Sequence, residues 1–375
     1  MTSEGTVGTS NTEVSNVWEN FHFRDVDMQF LTSGGLKQAV GLAIAQGAKS
    51  VAIVAKERYL EHLGSVTSNL CIGDSRNGGC VITTFSTIVQ HVPNEVAERA
   101  QSFARDNSVD GIIVIGGGSA IGTAKVMALV LSERVAFIAV PTTFSGSEMT
   151  PIYGITTDNR KVTTRDERVR PGAVIYDNSL LQSLPPSIAL PSIANSFAHA
   201  AEALWVPTKS KTSTLLARCA IESISKGLQI MADRPPSDGE PFLSEAALSD
   251  LSYGAALAGI AFGSTGSGIH HKICHLVGGT YGLDHANTHM IVGLELLPAM
   301  AQVHANVDHE RIKMGVEAIA TLIARHHLPK TLSSIGLDPW KRDLLLNEVG
   351  EVAKGIEPTL DQDQIATLFT QVIGY

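Results

Sequence analysis

Five of the chain's thirteen histidines fall between Gly268 and His289, in GIHHKICHLVGGTYGLDHANTH. His271 and His275 are four residues apart, so on a helix they stand one turn above the other on a single face. His285 follows ten residues later, past Gly278, Gly279 and Gly282, in what reads as the loop after that helix. Upstream, Asn195 and His199 repeat the four-residue spacing on a second predicted helix. Two such pairs converging on one pocket would bring imidazoles together, and three histidines with a carboxylate make an ordinary divalent-metal site. Here the carboxylate position is an asparagine, a neutral and weaker donor, so the spacing supplies a metal-site scaffold without its charge. His270 and His289, taken singly, read as surface or packed core residues.

Gly116-Gly117-Gly118-Ser119 follows an apolar strand and opens a helix, where backbone N–H groups can approach a pyrophosphate at the positive helix end. The spacing is not GxGxxG, and a tight turn is the alternative. Thr142, Thr143, Ser145 and Ser147 add hydroxyls at the next strand end and favour a nucleotide cradle. After the strand Val51–Ala55, where an NAD-selective site often carries an acid, stand Lys56 and Arg58, so a 2'-phosphate is tolerated; solvated loop charges are the other reading. Lys161, Arg165, Arg168 and Arg170 punctuate RKVTTRDERVRP, and of these Lys161, Arg165 and Arg168 are candidates to meet cofactor phosphate or an acidic substrate.

These residues need elements to hold them, and the pattern supplies them. A strand-like opening at Phe21–Phe30, a helix Leu36–Gln46, strands Ser50–Ala55, Val81–Phe85 and Gly111–Ile115, and helices Pro93–Asn107 and Ala120–Leu131 alternate as in a doubly wound parallel sheet. PPSIALP at Pro185–Pro191 reads as a proline-punctuated connector, and beyond it only helical periodicity appears, with Pro235–Glu240 as an internal loop. The expectation is an α/β dinucleotide-binding domain over 1–187, its first fifteen residues frayed, and an all-α domain over 188–375.

With 375 residues, 44% hydrophobic, 17% charged and a net charge of -9, the chain is globular and argues against general nucleic-acid or anionic-membrane binding. Four cysteines without a CxxC pattern, no signal-like N-terminus and no run of about twenty apolar residues read as a cytoplasmic protein with small-molecule partners.

The segments GGGSAIGTAK, VPTTFSGSEMTPIYG, KVTTRDERVRPGAVIYD, NSFAHAAEALW and HHKICHLVGGTYGLDH together resemble the iron-containing alcohol dehydrogenase superfamily, and within it most the maleylacetate reductases. The resemblance implies a dehydroquinate synthase-like architecture, a homodimer, and reduction by NADPH or NADH in the cleft between the two domains. It carries the superfamily's metal-ligand positions onto Asn195, His199, His271 and His285, and its additional active-site histidine onto His275. Asparagine in place of the usual aspartate implies no tightly bound metal, and Gly122 replaces an aspartate found near the nicotinamide in many metal-dependent relatives. The implied substrate is an acidic unsaturated ketone, maleylacetate, reduced to 3-oxoadipate in aromatic degradation, with Lys272, Arg165 and Arg168 as candidate partners for its carboxylates. The chain departs from the family pattern GLPHAETH at Asp284 and Asn287, which points to altered substrate preference. A metal-dependent alcohol dehydrogenase, a relative recruited to another pathway and a retired nucleotide-binding module are the alternatives.

Overall fold

Short runs of β-branched and small apolar residues suit strands buried on both faces. Four of them, β2 (Ser50–Ala55), β4 (Gly111–Gly116), β5 (Ala136–Pro141) and β8 (Ala173–Asp177), make the centre of a six-stranded sheet in the computed structural model. The structure describes residues 26–61, 80–131, 135–157, 160–233, 240–304, 308–354 and 360–374. With β1 (Asp27–Leu31) and β3 (Val81–Phe85) at the edges, the order is β1-β8-β5-β4-β2-β3, and all pairs are parallel.

Successive side chains leave a strand on opposite faces, and the two cores divide accordingly. Ile53, Ile113, Ile115, Ile138 and Val140 pack under α1 (Gly35–Ala45). Val54, Ile112, Val114 and Ala139 face α3 (Asn94–Asp106) and α4 (Gly118–Ala128), in a core that runs on without a break into the helical half. A short α2 (Glu57–Leu60) follows β2, and α5 (Asn178–Gln182) follows β8. The remaining helices are α6 (Pro186–Ala203), α7 (Lys211–Asp233), α8 (Glu245–Thr265), α9 (Ile269–Tyr281), α10 (His285–Val303), α11 (His309–Arg325), α12 (Arg342–Ala353) and α13 (Gln362–Ile373).

The architecture is the expected one, with local corrections. The segment read as a connector, Pro185–Pro191, is the N-cap and first turns of α6: Pro186 stands at the start, where its missing N–H is harmless, and Pro191 is carried inside the helix. Arg160–Arg165 is a strand, β7, paired antiparallel with β6 (Ile152–Thr157) in a hairpin off the main sheet. Helix α8 is long and apolar enough by length and composition to cross a membrane, although Glu245, Asp250 and its serines keep it from being an unbroken apolar run; its alanines and glycines let α6 and α7 pack closely, and most of it is buried. His285 is the first residue of a helix, not part of a loop. Residues 21–25 of the predicted opening strand, 235–239 of the predicted loop and the N-terminal fifteen lie outside the described residues.

Candidate active site

Strands β4 and β5 are neighbours in register, Gly116 opposite Pro141, so the glycine turn and Thr142–Thr143 leave the carboxyl edge of the sheet side by side, where open α/β sheets bind ligands. A Cβ on Gly117 would lie 2.8 Å from Thr143 Cγ2, so only glycine allows this approach. Helix α4 then begins at Gly118, and Gly118, Ser119, Thr143, Ser145 and Ser147 line a cavity of about 590 Å³. Gly116 and Gly117 form the turn behind that wall, and Thr142 is buried with its hydroxyl accepting from Tyr59 at 3.1 Å. Lys125, to which the sequence reading gave no role, also reaches the cavity. Its ammonium donates to the carbonyls of Ser147 (2.6 Å), Thr150 (2.8 Å) and Ile152 (2.8 Å) and to Thr150 Oγ1 (3.0 Å), tying α4 to the turn after β5. Burial brings its pKa down to about 7, against the opposing pull of Glu148.

The far wall of the same cavity carries Asn195, His199, His271, His275 and His285. Helix α6 is anchored by Ser192, whose hydroxyl accepts from the Phe144 N–H at 3.2 Å, and one turn on it presents Asn195 and His199. The His199 ring stacks on His271, centroids 4.6 Å apart, with Phe262 closing the sandwich. His271 and His275 share a face of α9, rings 6.2 Å apart. Gly282, at φ 70°, ends α9, and Leu283 and Asp284 turn the chain into α10. Asp284 caps α10 by accepting from the Asn287 N–H at 2.9 Å, and this corner puts His285 5.7 Å from His275, ring to ring. Burial pushes His199 down to about 3 and His270 to about 4, and holds His271 and His289 well below the imidazole range.

Glu202 is another residue that sequence reading missed, although it lies three residues past His199 on the same helical face. It is fully buried; one carboxyl oxygen accepts from the backbone N–H of His270 at 2.7 Å, and the other meets His271 Nδ1 at 2.5 Å. Burial raises Glu202 to about 8 and lowers His271, so both partners favour their neutral forms. The protonated carboxyl then donates to Nδ1, and His271 carries its hydrogen on Nε2, a buried atom with no hydrogen-bond partner in the protein.

The predicted cationic residues separate. Arg165, at the end of β7, lines the cavity. Lys272 is exposed, about 100° round α9 from His271, and Arg168 is exposed and paired with Asp166 at 2.7 Å; neither lines the cavity. The Lys161 side chain lies outside the described residues. Gln90 and His91, unnoticed in the sequence, arrive from the sheet side: Gln90 donates to Asp284 at 3.1 Å, and the His91 ring stands edge-on to His285 at 5.4 Å.

Asn195 Oδ1, His199 Nδ1 and His271 Nε2 are buried without partners, which raises the question of a metal. The set has no anionic ligand, since Asn195 stands where a carboxylate would. Among the described residues, His199, His271 and His285 are not one of the groups whose ligand atoms gather within 4.8 Å of one another. One amide and three imidazoles are a weaker donor set for a divalent ion than one that includes a carboxylate.

Residues 30–178 match the family model described as iron-containing alcohol dehydrogenase, and residues 191–336 match that of the Fe-containing alcohol dehydrogenase family, C-terminal. The chain is 43% identical to maleylacetate reductase 2 of Cupriavidus pinatubonensis over 230 residues, an alignment that spans 61% of each protein. It is 41% identical over 280 residues to a maleylacetate reductase of Pseudomonas knackmussii, covering 73% of this chain and 76% of that one. Among solved structures it is similar to an iron-containing alcohol dehydrogenase from Corynebacterium glutamicum, with a TM-score of 0.79, 31% identity and coverage of 95% and 97%. The chain belongs to the iron-containing alcohol dehydrogenase family.

Proposed function

We propose that this protein is a nicotinamide-dependent reductase of the maleylacetate reductase type, accepting NADPH or NADH. The observation that carries the reading is a single cavity with a glycine-turn helix N-terminus on one wall and Asn195, His199, His271, His275 and His285 on the other. In the reaction, hydride adds to a carbon–carbon double bond conjugated to a ketone, the electron pair moves onto the carbonyl oxygen as an enolate, and a proton is then delivered to carbon, turning maleylacetate into 3-oxoadipate. The charge on that oxygen needs preorganised donors. His271 Nε2–H, oriented by Glu202, supplies one, with His285 and His199 beside it. His275 and His285, on the wall of the same cavity, are the candidates to deliver the proton. Arg165, a cation on the cavity wall, can meet a substrate carboxylate.

The reading assigns no tightly held metal to Asn195, His199, His271 and His285. It includes the homodimer implied by the family, and light scattering of the purified protein tests that part. Oxidation of NADPH and NADH with maleylacetate, set against a panel of simple aldehydes, tests the activity. Turnover confined to simple aldehydes would favour the alcohol dehydrogenase alternative.

A further inference from the structure

His289 is completely buried, yet neither ring nitrogen has a hydrogen-bond partner within the protein. It stands four residues after His285 on α10, so both rings leave the same helix face, centroids 4.3 Å apart. Across from them, His275 on α9 completes a trio in which each ring offers a nitrogen within 4.8 Å of the others. Three imidazoles gathered from two packed helices are the donor set of a borderline transition metal such as Zn²⁺. With zinc–nitrogen bonds of about 2.0–2.1 Å, small side-chain rotations close the set. An ion has a way in, because His275 and His285 border both the main cavity and a neighbouring one of about 380 Å³. A second possible cluster, His270, Cys274 and His289, is buried on every side; its thiol is pushed well above the ordinary range, and His270 Nε2 is already engaged with the His289 carbonyl.

We propose that His275, His285 and His289 form a Zn²⁺-class site, which shares His285 with the metal-ligand positions of the family and takes its other two ligands one helical turn beyond them, and that filling it inhibits the reductase by capturing His275 and His285. The inhibition clause rests on the reading above; the metal site does not.

The test uses the full-length protein, stripped with chelator and titrated with Zn²⁺ by calorimetry and with Co²⁺ by visible absorption. Wild type should bind about one zinc per chain, show the strong visible bands of a four-coordinate cobalt site, and lose NADPH-dependent turnover in step with binding. H289Q should weaken zinc binding by more than the roughly tenfold to hundredfold typical of losing an outer-shell partner, while its metal-free turnover stays near wild type and resists zinc. H275Q, read by binding alone, should weaken zinc to the same degree, which covers the case in which H289Q fails to fold. Binding that survives H275Q and H289Q but is lost in H199Q would return the metal to the family positions and overturn the proposal. Loss in C274S with retention in H275Q would overturn it in favour of the buried cluster. If wild type binds no zinc while reduction proceeds normally, the site falls and the proposed function stands.

Discussion

At the scale of single residues the account turns on which nitrogen of His271 carries hydrogen. Glu202 is raised to about 8. Below that pH its protonated carboxyl donates to Nδ1 and Nε2–H faces the cavity; above it, the carboxylate draws the hydrogen to Nδ1 and Nε2 loses its donor. Turnover should therefore fall as pH rises through about 8. Glu202→Gln mimics the neutral acid, its carbonyl accepting from the His270 N–H and its amide donating to Nδ1, so a pH–rate profile of E202Q should keep activity and lose this alkaline limb; a limb unchanged in E202Q would remove Glu202 from the explanation. His285→Ala should lower kcat by at least about tenfold, the usual worth of a positioned acid or base, and unchanged turnover would take His285 out of the chemistry. The sequence made the five polar residues on the far wall legible because spacing on helices is a one-dimensional signal. Glu202 shared that spacing with Asn195 and His199 and was still missed, since a carboxylate on an apolar helix shows its role only once its two hydrogen-bond partners, on α9, are known. His91 had no comparable signal: it reaches His285 through tertiary packing alone.

At the scale of elements, two short turns set the distances. The approach of Gly117 to Thr143 leaves no room for a side chain, so Gly117→Val should strain the cradle by about 1–3 kcal/mol, as overpacking does, and nucleotide titration should show affinity reduced by about tenfold or more. The corner between α9 and α10 depends on the Asp284 cap. Asp284→Ala should cost about 0.5–2 kcal/mol, whereas Asp284→Asn, itself a good cap, should restore most of it; thermal unfolding of the two variants measures the difference. The cap also accounts for the departure from the family pattern: Asp284 starts the helix and accepts from Gln90, work done within the fold and across the cleft. Strand and helix positions were readable from period and composition. The Pro185–Pro191 segment was not, because proline is tolerated in the first turns of a helix and its neighbours carry the apolar face of α6 into the core. The β6–β7 hairpin was hidden by the charges that surround its short Val-Thr-Thr run.

At the scale of the whole molecule, one core joins the back of the sheet to the helical half and sets the glycine-turn wall against the histidine wall. Lys56 and Arg58 stand exposed just beyond the carboxyl end of β2. If they meet a 2'-phosphate, replacing both with glutamate should lower the NADPH-to-NADH ratio of kcat/KM by about tenfold or more, given about 1.5–3 kcal/mol for a charged hydrogen bond; an unchanged ratio would leave them as solvated charges. The central claim is that imidazoles, with Glu202 behind one of them, stabilise the enolate without a resident cation. The measurement that bears on it most directly is steady-state reduction of maleylacetate by NADPH in enzyme stripped of metal and verified by elemental analysis. Full turnover, insensitive to chelator and depressed by added zinc, is the predicted result; turnover that vanishes on stripping and returns with iron or zinc would contradict it.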